Sequence, residues 1–136
     1  MKYFTIEFFV DCILHTVDLG IAQRYCGHSI KCLLECNVFG LRHATKGARM
    51  QVGALVIRRH LKEHYKRRDR GNAYKRRSVR IRAFSLKKLG NISCPAVKCK
   101  GGETRSLVYF CVEMLRKYEG LCGLRGQLLA ASGDAL

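Results

Sequence analysis

Two groups of residues in this chain have the types and spacing to do chemistry. The first is CGHSIKCLLEC, where Cys26, His28, Cys32 and Cys36 fall within eleven residues. Thiolate and imidazole are the ligands that zinc takes in tetrahedral sites, so this run is the candidate metal set. Its spacing is not that of a common zinc finger. With Ser29 as a helix N-cap, Cys32 and Cys36 share one face a turn apart, and Cys26 and His28 approach from the preceding loop. The same letters also read without metal, as small thiols buried on an amphipathic helix. The second group is Arg58 to Arg82, which holds twelve Lys or Arg against only Glu63 and Asp69. Such density repels itself and calls for an anionic partner. A polyphosphate fits best, because each neutralised phosphate releases condensed counterions. The candidate contacts are Arg58, Arg59, Lys62, Lys66, Arg67, Arg68, Arg70, Lys75, Arg76, Arg77, Arg80 and Arg82. Tyr74, with Tyr65, supplies aromatic rings that could stack on unpaired bases, which favours RNA over DNA.

The rest of the chain sets limits on these readings. Net charge is +16 over 136 residues, and it is concentrated. Residues 1–40 sum to −1, residues 41–90 to +15 and residues 91–136 to +2. An apolar run from Tyr3 to Ile21 is broken by Glu7, Asp11 and Asp18, which argues against a cleaved signal and against a membrane span. With eight cysteines and no convincing signal, the expectation is an intracellular, reducing location, with thiols free or metal-bound. Asp11 and His15 sit one helical turn apart, but Cys12 points about 100° away around the helix. No acid, base and nucleophile converge, so an enzyme is not expected.

The elements that must position these groups are mostly helical. Apolar residues around a narrow acidic stripe give a helix over residues 3–25. The stripe either faces solvent or meets the basic segment, within the molecule or across a homodimer. Residues 40–47 read as a connector. Met50, Ala54, Ile57, Leu61 and Tyr65 then recur at helical spacing to about Arg68. His60 and His64 lie one turn apart on that helix, yet hairpin geometry keeps them about two turns from Cys32 and Cys36. DRGNAY is a turn, and residues 78–83 alternate with period two, as a short strand would, or form an arm that orders on binding. Cys94 and Cys99 lie in a loop whose CPAVKC spacing is too wide for a zinc knuckle. Thr104 caps a helix to Tyr118 that Gly120 stops, with Cys111 on its apolar face, and residues 121–131 make a shorter apolar helix. The expected fold is therefore mainly α, a small single domain with a basic helix and arm. Residues 1–57 form an N-terminal helical part, 58–82 the nucleic-acid-binding segment and 83–136 a C-terminal helical part.

A basic run of Arg58, Arg59, Arg67, Arg68, Lys75, Arg76 and Arg77, followed by Cys94 and Cys99, resembles the small cysteine-rich proteins of plant RNA viruses. The likeness covers about a third of the chain, and the cysteine spacing departs from that grouping. It implies nucleic-acid binding through the basic run, with silencing suppression or a regulatory role in the nucleus. Two other classes remain open. Lys66-Arg67-Arg68 and Lys75-Arg76-Arg77 are shaped like import signals, as in a nucleus-directed factor that meets an import receptor or host protein. A structural subunit of a ribonucleoprotein would use the same cations. The expected location is the nucleus, the cytoplasm or both.

Overall fold

A computed structural model describes residues 16–42, 45–71 and 79–136. It contains four α-helices, and no strand forms among the described residues. A π-helical turn, Val17–Ile21, leads into α1, Ala22–Glu35. Helix α2 spans Lys46–Gly71, α3 spans Gly101–Lys117 and α4 spans Glu119–Asp134. A single 3-10 turn, Leu86–Leu89, lies in the long connection between α2 and α3. Most of the expected N-terminal helix, including Asp11, Cys12 and His15, lies outside the described residues.

Helix α1 is the pivot. Cys26, Ile30, Cys32 and Leu33 are fully buried on it, and α2, α3 and α4 all pack against it. Spacing predicts a loop at Cys26–His28 and a new helix capped by Ser29. Neither forms. Ser29 is buried in the middle of α1, and its hydroxyl donates to the Tyr25 carbonyl at 2.8 Å. Gly27, between them, is required by packing: a Cβ there would lie 2.4 Å from the Pro95 carbonyl oxygen. Glycine thus lets the 95–99 loop lie on the helix, where Val97 N–H donates to the Gln23 carbonyl at 3.0 Å.

Helices α3 and α4 form a hairpin with Tyr118 between them. Thr104 does not cap α3; it is wholly buried in the first turn, and its hydroxyl donates to the Lys100 carbonyl at 3.0 Å. The extended residue before the helix is Lys100, whose N–H donates to the Glu103 carboxylate at 3.0 Å. Leu107, Phe110, Cys111, Met114 and Leu115 then fill the core as their helical spacing requires. Gly120 does not end α3, since it already lies within α4.

The arm returns to this core in two places. Ile81 and Phe84 are buried, and Ile81 N–H donates to the Tyr65 hydroxyl at 3.4 Å. The period-two alternation at residues 79–83 therefore serves a segment pinned to α2. It does not make a strand, because no second strand lies beside it among the described residues.

Candidate functional site

Helix α2 carries the candidate cations, and its length of about 39 Å makes it the longest element described. Its inner face is apolar: Met50, Ala54, Ile57, Leu61, His64 and Tyr65 are buried. On the opposite side Arg59, Lys62, Lys66 and Arg70 are all exposed. At 3.6 residues per turn these four lie within about 80° of arc and span about 16 Å. No acid among the described residues pairs with any of them.

The remaining described cations of the segment are placed differently. Arg67 forms an ion pair with Glu113 of α3. Arg68 lies over the ring of Tyr109, 4.7 Å from its centroid. Arg80 pairs with Asp69. Arg58 is only half exposed, on the flank of the helix, and Arg82 is exposed on the arm. Tyr74, Lys75, Arg76 and Arg77 lie outside the described residues.

Tyr65 cannot be a stacking platform. It is 2% exposed, with its hydroxyl engaged by the arm. Periodicity had already put it on the apolar face, and burial decides the matter. Among the described residues the exposed ring is Tyr109, at 57%. It lies on α3, 27 residues beyond the basic segment, so no local spacing links it to the cations.

Glu113 explains how α2 is held. One of its oxygens lies 2.7 Å from His64 Nδ1, and the other takes the Arg67 guanidinium. Burial opposes ionisation of this carboxyl, but hydrogen bonds from His64 and Arg67 prevail and hold it below its ordinary value. His60 stacks on Phe39 at 5.8 Å and lies 3.6 Å from Glu63, so the two histidines take separate partners. Burial lowers the affinity of His60 for a proton, and Lys117 lowers it further. Glu63 opposes the shift, while Arg59 and Arg67 add to it. Burial is thus the main cause, with three nearby cations acting in the same direction. Between α2 and α3 the surface opens into a groove of about 570 Å³, with Lys66, Arg70 and Lys117 among its lining.

The thiols are arranged otherwise than their order in sequence suggests. Cys32 in the last turn of α1 and Cys36, the residue that caps it, lie together as expected, but their companion is Cys122 of α4. The three sulfur atoms lie within 4.8 Å of one another, close enough to hold a metal ion. Cys26 is not part of this group. It sits ten residues before Cys36, about 15 Å along the helix. Its thiol instead points to the Thr104 carbonyl, 4.0 Å away, and burial followed by Cys111 pushes it well above its ordinary pKa. His28 is half buried one turn before Cys32 and is also outside the group. Cys94 is exposed; Cys99 is half buried, which pushes its thiol up to about 11. Neither belongs to a group of three or more potential ligands among the described residues. Cys122 had seemed an isolated helical cysteine, because 85 residues separate it from Cys36 and no local spacing links them.

None of the described helices is long and apolar enough to cross a membrane. Comparison with known protein families, characterised proteins and solved structures finds no match to this chain.

Proposed function

We propose that this protein binds nucleic acid, RNA in preference to DNA, through the outer face of α2 and the arginine-rich arm that follows. The observation that supports it is the row of Arg59, Lys62, Lys66 and Arg70, exposed and without acidic partners among the described residues. Like charges three and four residues apart destabilise a helix by about 0.2–0.5 kcal/mol per pair. This row contains three such pairs in succession. A polyphosphate laid along these about 16 Å of helix would turn the mutual repulsion of the four cations into attraction to the backbone. Arg82 and the cations of residues 75–77 extend the same charge along the chain. In this reading zinc is a structural ion, held by thiols that are not on α2, so the interface itself needs no metal.

The test is a fluorescence-anisotropy titration of the full chain against single-stranded and duplex RNA and DNA over a salt series. With about six cations on a single strand, the logarithm of affinity falls against log salt with a slope near roughly −4, about −0.7 per contact. Single-stranded RNA is expected to bind most tightly. An affinity that does not change with salt overturns the proposal.

A further inference from the structure

We propose that Cys32, Cys36 and Cys122 form a three-thiolate site for one zinc ion, which ties the start of α4 to the end of α1. This refines the structural ion of the preceding reading and assigns it residues. Around zinc with Zn–S bonds of about 2.3 Å, tetrahedral geometry separates ligand sulfurs by about 3.8 Å. The three sulfurs already lie within 4.8 Å of one another, so small side-chain rotations complete the set. Three ligands from two helices give the ion something to hold together, which two cysteines a turn apart on one helix would not.

The chain around Cys122 is shaped to deliver this thiol. Gly123 has φ of +56° and breaks the helical path immediately after it. A Cβ on Gly126 would lie 2.4 Å from Cys122 Cβ. Two glycines thus turn the backbone and make room beneath one cysteine, at the expense of helix stability. Three thiols lose three protons to solvent as three Zn–S bonds form, leaving a centre of net charge −1. Arg125 acts on Cys32 and shares the Glu35 carboxylate with Lys31 and Lys46, so three cations around one acid leave net positive charge beside the centre. The ligand set contains sulfur alone, which selects a thiophilic cation over magnesium or calcium. Three thiols are one short of the four that an iron–sulfur cluster takes. No fourth Cys, His or carboxylate joins the group among the described residues, so a water would complete the tetrahedron.

The experiment is native mass spectrometry of the full chain purified from zinc-supplemented cells, with cobalt(II) substitution followed by visible absorption. The expected result is one zinc per chain and a thiolate-to-cobalt charge-transfer band. Cys122→Ser is expected to weaken zinc binding by at least about 100-fold, the upper end of what losing a mere supporting contact costs. Cys122→His restores a ligand and is expected to recover cobalt binding, which separates loss of the site from loss of the fold. Exposed Cys94→Ser leaves the stoichiometry at one. The proposal is overturned if the wild-type chain carries no zinc and takes up no cobalt. It is equally overturned by copper(I) in place of zinc, by a disulfide joining Cys122 to Cys32 or Cys36, or by undiminished zinc in Cys122→Ser. None of these readouts involves RNA, so failure here is distinguishable from failure of the nucleic-acid reading.

Discussion

The two sides of α2 use the same kinds of residue in different ways. On the outer side Arg59, Lys62, Lys66 and Arg70 lie in a row that no acid among the described residues satisfies. On the inner side and flank, where the helix meets the rest of the molecule, Arg67 is engaged by Glu113 and Arg68 covers Tyr109, while Asp69 holds Arg80 of the arm. A count of charge treats these cations as equivalent. Their surroundings divide them into those that hold the fold and those left over, and only the second kind carries unspent electrostatic free energy for a partner.

The largest expected effect is on the inner face. Leu61 is 2% exposed, so Leu61→Ala should lower unfolding free energy by about 2–5 kcal/mol as a buried large-to-small change. Leu55, on the outer face and 61% exposed, should tolerate alanine within about 0.5 kcal/mol. Urea unfolding of the two variants measures the difference, and similar losses would erase the distinction between the faces. A close contact elsewhere sharpens the same contrast between packed and open surface. Gly27→Ala forces a methyl against the Pro95 carbonyl and should cost about 1–3 kcal/mol.

A smaller effect, of opposite sign, is expected from the row of cations. Replacing Arg59, Lys62, Lys66 and Arg70 with alanine removes three like-charge pairs and should raise stability by about 0.6–1.5 kcal/mol, while weakening RNA binding. A melting temperature that falls instead would assign these residues a structural role.

The smallest effect is a titration shift. The His60 pKa is lowered in the folded protein, so its neutral form contributes stability above the unfolded value of about 6.5. That contribution is lost as pH falls through the lower folded pKa. Phosphates laid on α2 would offset the field of Arg59 and its neighbours, so RNA should move the His60 pKa upward. Proton NMR of the imidazole with and without single-stranded RNA measures this, and a downward shift would place the phosphates elsewhere.

The mainly helical fold was legible because Met50 to Tyr65 and Leu107 to Leu115 repeat at helical spacing and are buried accordingly. Helix ends were less legible. Ser29 and Thr104 look like caps, but each is buried and donates to a carbonyl four residues back. Local chemistry favours those residues at helix starts, and long-range packing overrides it. Gly27 falls in the stretch read as a loop, and the need for it comes only from the Pro95 loop packed above it. Cys32 and Cys36 announce themselves by their separation of four, whereas Cys122 reaches them only through the packing of α4 on α1. No sequence interval encodes that meeting. In the same way, the basic run identifies the candidate contacts, but the partner that occupies Arg67 lies on another helix.

The division of the cations is tested most directly by comparing the salt dependence of RNA binding in two variants. One replaces Arg59, Lys62, Lys66 and Arg70 with alanine; the other replaces Arg67, Arg68 and Arg80. At about 0.7 per phosphate contact, the first should flatten the slope of log affinity against log salt by roughly three. The second should flatten it by less than about one, since those guanidinium groups are already engaged. Equal flattening per cation removed, or a larger change in the second variant, would contradict the account.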